Sequence, residues 1–192
     1  MKKVLLASVV ALFLVSSINA QDNPKTLIKC NLGSLIFSTF NFQLEKVVGE
    51  KQSLQLGVFF TSLKVTDTKF SGFGITPEYR FYMSQKGAPK GFFAAPFIRY
   101  QSFKLTNGSS YDYTTGQSLG EASAKLSTFG GGVIIGFQGI IANHISIETF
   151  AGPSINAGKV KVDTAGASDS DFSVGSFSGF GVRAGFTVGV AF

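Results

Sequence analysis

Tryptophan is absent, cysteine and histidine occur once each, and Asp, Glu, Lys and Arg make up only 15% of the 192 residues. A single cysteine, Cys30, cannot close a disulfide within the chain. The Leu27-Ile28-Lys29 run before it is also unlike the small residues that precede a lipidated cysteine. Long polar helix formers are scarce, whereas Gly (23) and Phe (21) are abundant, a balance that favours strands. No block of like charges occurs, which leaves little support for nucleic acid as a partner. Beyond the N-terminus no apolar run approaches the roughly 20 residues of a membrane-spanning helix.

The first twenty residues, MKKVLLASVVALFLVSSINA, combine a basic start at Lys2 and Lys3, an apolar stretch from Val4 to Val15 and a small residue, Ala20. This is the pattern of a cleaved secretory signal peptide over 1–20, leaving a single domain over 21–192. Without Lys2 and Lys3, 15 basic residues face 11 acidic ones, a small excess.

The mature chain alternates with period two. Residues 26–35, 38–47, 52–62, 70–84, 91–105, 123–138, 144–161 and 179–192 each read as a strand with one apolar face. In the last, Phe180, Val182, Ala184, Phe186, Val188, Val190 and Phe192 lie on one side, and Gly and Arg183 on the other. Turns near 47–51, 85–90 and 139–143 are short, and segments near 106–122 and 162–176 are long and polar, with loops near 36–37 and 63–69 on that same side. An even strand number with alternating short turns and long loops predicts an all-β fold, a closed eight-stranded antiparallel transmembrane β-barrel. Closure follows because an open sheet edge has no hydrogen-bond partners in hydrocarbon. A soluble sandwich or lipocalin-like barrel is the competing architecture, with the apolar face turned inward. Glycine and charge sharing one face argue against it. Aromatic residues near strand ends, with Tyr79, Tyr82, Tyr100 and Phe192 the clearest, fit interfacial girdles.

The signal peptide, TPEYRFY (76–82), KGFFAAPFIRY (90–100) and the terminal GFTVGVAF (185–192) resemble the small OmpA/OmpX-type, porin-family outer-membrane β-barrel proteins of Gram-negative bacteria. The resemblance implies a barrel over about 26–192 in the cell outer membrane, in contact with outer-membrane lipid. It also implies that Phe192 is an aromatic signal read by the barrel assembly machinery. No peptidoglycan-binding domain is expected after it.

An eight-stranded barrel is just wide enough to be filled by its own side chains. The inward set includes Lys29, Glu45, Glu78, Arg80, Arg99, Glu148 and Arg183, and adjacent strands predict the pairs Lys29–Glu45, Glu148–Arg183 and Glu78–Arg99. These charges are expected to plug the barrel, making the protein a structural or surface-interaction scaffold, with Tyr111 and Tyr113 as extracellular loop contacts for a surface ligand of unknown identity. A narrow channel or transporter for small or amphipathic molecules is the alternative. No enzyme activity, cofactor or metal is expected. His144 stands in a turn without the nucleophile and orienting partner that a hydrolase or acyltransferase needs. GGGVIIG (130–136) and GFGVRAG (179–185) lack the spacing and the strand–turn–helix setting of a dinucleotide fingerprint. Asp163, Asp169 and Asp171 read as a solvated loop rather than a Ca²⁺ site.

Overall fold

The computed structural model describes residues 24–36, 38–65, 68–107, 111–112, 117–118, 122–162 and 178–192. The predicted signal peptide and Asp163, Asp169, Asp171 and Tyr113 lie outside these residues. The chain runs β1 (Thr26–Asn31), α1 (Leu32–Leu35), β2 (Thr39–Val47), β3 (Gln52–Val65), β4 (Thr68–Tyr82), β5 (Gly91–Asn107), β6 (Tyr111–Asp112), β7 (Gln117–Ser118), β8 (Ala122–Ile141), β9 (Ile145–Val162) and β10 (Gly179–Ala191). Eight of the strands close a barrel in the order β1-β10-β9-β8-β5-β4-β3-β2, every pair antiparallel. The short strands β6 and β7 form a separate hairpin, and Tyr111 opens it.

Several boundaries differ from the sequence reading, and at three of them the local reason is plain. The first strand stops at Asn31, whose side-chain Oδ1 accepts from the Ser34 backbone N–H at 3.3 Å and caps the turn of α1. The expected loop at 63–69 is mostly strand, since pairing continues to Val65↔Thr68. There the outward positions become Lys64 and Lys69, so the apolar alternation ends before the hydrogen bonding does. The turn expected at 139–143 is confined to residues 142–144, with Ala142 and Asn143 at φ of 51° and 61°.

The outer surface is layered. Val58, Ile75, Pro77, Pro96, Ile98, Val133 and Ile135 form its middle. On one side of them Phe40, Phe60 and Phe73 stand directly opposite one another across β2, β3 and β4, and Tyr100 opposite Phe129 carries the row onto β5 and β8. On the other side lie Tyr79 and Phe81, with centroids 4.7 Å apart, and Phe92 and Phe137, 5.0 Å apart. Phe73 and Phe81 on β4, like Phe129 and Phe137 on β8, are eight positions apart. At about 3.3 Å per residue and a tilt near 40° that separation is about 20 Å along the barrel axis, close to the roughly 25 Å apolar band of a membrane barrel. Phe40, Phe60, Phe92, Phe129 and Val133 are exposed, while Lys29, Glu45, Arg80 and Glu148 are buried. That polarity is the inverse of a soluble barrel's, and it excludes the sandwich and lipocalin-like alternatives.

Tyr82 departs from its expected girdle position. It points inward, 2% exposed, beside Phe93 at a centroid distance of 5.6 Å, because its even-numbered phase on β4 is that of Glu78 and Arg80.

Val133 lies midway between the aromatic positions of β8. Val133→Arg should destabilise the barrel in phosphatidylcholine vesicles by about 2–4 kcal/mol, read as a lower urea midpoint. An unchanged midpoint would mean that this face is not in hydrocarbon.

Candidate functional site

Alternation along β1, β2, β4, β9 and β10 turns Lys29, Glu45, Glu78, Arg80, Glu148 and Arg183 into the barrel, and the narrow lumen brings them together. Lys29 Nζ donates to Glu45 Oε2 at 2.7 Å, to Gln138 Oε1 at 2.8 Å and to Glu148 Oε2. All three ammonium hydrogens therefore have acceptors. Arg80 is the centre of the cluster. It grips Glu148 with Nη1 at 2.7 Å and Nη2 at 3.0 Å, and it holds Glu78 Oε2 through Nε at 3.2 Å and Nη2 at 3.0 Å. Its Nη1 also reaches Glu45 at 3.5 Å, and its guanidinium lies 4.4 Å from the centroid of Phe93. The fork of one arginine thus contacts all three carboxylates.

Three neutral groups complete this layer: Ser53 and Gln138, which were not singled out from the sequence, and Tyr82, which was expected in the girdle. Tyr82 OH donates to Glu45 Oε1 at 2.6 Å, and Ser53 Oγ donates to the same oxygen at 2.5 Å. Gln138 Nε2 donates to the Pro89 carbonyl at 2.8 Å and lies 3.1 Å from Tyr82 OH. Their inward phase was legible, but a neutral Gln or Tyr has no charge to signal a partner.

The expected pairings are partly redrawn. Lys29 and Glu45 are bonded, but Glu148 takes Lys29 and Arg80 rather than Arg183, and Glu78 takes Arg80 and Arg183 rather than Arg99. The reason is reach. Long side chains cross the lumen to strands that are not neighbours, and adjacency alone misses that.

Three carboxylates balanced by Lys29, Arg80 and Arg183 make the cluster neutral. Arg99 is left over. Among the described residues it forms no ion pair; its Nε donates to Thr76 Oγ1 at 3.3 Å, and its guanidinium lies 5.4 Å from the Phe97 centroid. Arg183 lies over that same ring at 4.7 Å, and its buried Nη1 has no acceptor. The two arginines floor a cavity of about 740 Å³ that opens away from the chain termini, with walls from Asn31, Asn41, Phe59, Thr61 and Phe103. A second cavity, about 560 Å³, sits at the other end among Pro24, Lys25, Val47 and residues 85–88. The two share no lining residue, and the ion cluster lies between them.

His144 is in the turn after β8, its ring Nδ1 2.6 Å from the Ala142 carbonyl oxygen. Among the described residues no group of three or more His, Cys, Asp or Glu could hold a metal ion. Phe192 pairs through its backbone with Thr26, donating at 2.9 Å and accepting at 2.8 Å.

These features define a closed eight-stranded transmembrane barrel with an ion-paired lumen. The chain belongs to the family described as Protein of unknown function (DUF3575), whose model matches residues 6–158. No curated protein matches the chain. Among solved structures, it is similar to CarO from Acinetobacter baumannii, at 11% identity, covering 91% of this chain and 99% of that one with a TM-score of 0.43. For the N-terminal β-barrel domain of Pseudomonas aeruginosa OprF the values are 13%, 90%, 100% and 0.41. For a major outer membrane protein from Thermus thermophilus they are 15%, 88%, 98% and 0.47.

Arg80→Met leaves three buried carboxylates short of a cation and should cost about 3–5 kcal/mol in a urea titration in vesicles. Arg99→Gln removes a charge outside the neutral cluster and should cost no more than about 1 kcal/mol in the same titration. Equal losses would mean that the cluster is not the stabilising unit.

Proposed function

We propose that this protein is an integral outer-membrane barrel, sealed across its lumen, that serves as a structural or surface-interaction scaffold through its extracellular loops. The observation that carries this reading is the ion cluster: the side chains of Lys29, Glu45, Arg80 and Glu148 are wholly inaccessible, at 0%. A continuous water path would expose them. In this reading residues 1–20 direct export, the barrel assembly machinery engages the strand ending in Phe192, and the termini and short turns face the periplasm. The loops at 106–122 and 162–176, with Tyr111 and Tyr113, are then the contact surface, because a rigid barrel leaves adaptable recognition to its loops. The role is non-catalytic and needs no cofactor.

Purified protein in planar bilayers should give no steady conductance, and a stable open channel would overturn the sealed reading. Cells expressing a variant shortened within 108–121 should keep a heat-modifiable barrel and lose surface binding; retained binding would remove that loop from the contact surface.

One observation favours a second reading, a narrow channel. The outward cavity ends on the uncompensated Arg99, so a path opened by rearranging Arg80 would favour anions. Under that reading Arg80→Met should produce small anion-selective currents, and silent bilayers would count against it.

A further inference from the structure

Above the aromatic row the outer surface carries a second ordered layer, and above that a third. Ser62 stands opposite Ser71, and Ser102 opposite Ser127. Two positions further on, Lys64 stands directly opposite Lys69, and Lys104 directly opposite Lys125. Lys159 on β9 faces the same way, and all five lysines are exposed. Each of the first four is four positions beyond an aromatic residue of the row: Phe60 and Lys64, Phe73 and Lys69, Tyr100 and Lys104, Phe129 and Lys125. At about 3.3 Å per residue and a tilt near 40° this puts the lysines about 10 Å beyond the aromatics. A headgroup layer beyond hydrocarbon occupies such a depth.

Like charges directly opposite on neighbouring strands are destabilising. An anion placed against the row would offset these pairs, and β9 adds Lys161 opposite Lys125 in the register; among the described residues none of the five lysines has an ion pair. We propose that this row binds the phosphate groups of anionic lipid in the membrane leaflet away from the chain termini. The stems of the lysines lie along the serine layer and the ammonium groups extend to the phosphates. The partner is membrane lipid rather than free phosphate, since the row lies on the outer wall, level with headgroups and continuous with the aromatic girdle. The inference rests on the membrane reading of the barrel and is independent of whether the lumen is sealed.

The test compares the mature protein with the variant carrying Lys64→Gln, Lys69→Gln, Lys104→Gln, Lys125→Gln and Lys159→Gln. Both are inserted into phosphatidylcholine vesicles, alone or with diphosphorylated lipid A, or with the same lipid A stripped of phosphate. Insertion is checked by gel mobility with and without boiling. The native protein should gain several degrees in thermal midpoint from diphosphorylated lipid A, and the gain should shrink with added salt. The variant should show no such gain, and in phosphatidylcholine alone it should be the more stable of the two, because the like-charge pairs are gone. An equal gain from the dephosphorylated lipid, an equal gain in the variant, or the same gain from inorganic phosphate added to phosphatidylcholine vesicles would overturn the proposal. Failure of the native protein to insert in any vesicle would overturn the membrane reading itself, and this inference with it.

Discussion

The pairing of β1 with β10 is the contact on which everything else depends. Hydrocarbon supplies no partner for a free N–H or C=O, so a sheet in a membrane must return to its first strand. The closing strand is only six residues long, and it meets β10 from Leu27↔Ala191 to Asn31↔Thr187. Backbone bonds from Phe192 to Thr26 and Lys25 extend the seam beyond the last strand residue. Closure converts a period-two pattern into an inside and an outside. It also places Lys29, near the middle of β1, within reach of Glu45 on one side and Glu148 across β10 on the other.

Once closed, the barrel encloses a narrow lumen lined in part by charge. The cluster meets this by neutrality and by saturation: three acids, three bases, and Gln138, Tyr82 and Ser53 taking up remaining donors and acceptors. Apolar residues Phe93, Ala95, Ile134, Phe97 and Phe150 fill the β5, β8 and β9 side and form a small core. Arg80 joins the two halves, since its edge bonds the carboxylates and its face covers Phe93. Saturation does not extend through the whole lumen. The amides of Gln43 and Gln55 and the hydroxyls of Ser146 and Thr187 are buried without partners, as is Arg183 Nη1.

Much of this was legible in the chain. The eight barrel strands, their antiparallel order and the inward phase of Glu45, Glu78 and Arg80 all follow from alternation, because a barrel wall in lipid allows no one-residue slip without burying charge in hydrocarbon. Boundaries were less legible where the outside is no longer lipid. Beyond Phe60 and Phe73 the outward residues turn polar while β3 and β4 go on pairing, so hydropathy marks the edge of the membrane rather than the end of the strand. The contacts within the lumen were the least legible. Alternation gives a side chain's direction and neighbouring strand, but Arg80 to Glu148 and Arg183 to Glu78 span the barrel, and only its width decides them.

The glycines give the large inward side chains their room. Phe93 stands directly opposite Gly136 and Phe103 opposite Gly72, and a Cβ on either glycine would run into the ring facing it. Phe59 has the same relation to Gly74, and the stem of Lys29 to Gly189. In each pair a large inward side chain lies across the strand that lacks one, an arrangement in which an aromatic ring covers backbone that glycine would otherwise leave bare. A soluble surface would have no use for this size matching, since water fits around any side chain. The abundance of glycine and phenylalanine therefore expresses one requirement: a closed wall of eight strands in which large inward side chains face residues that have none.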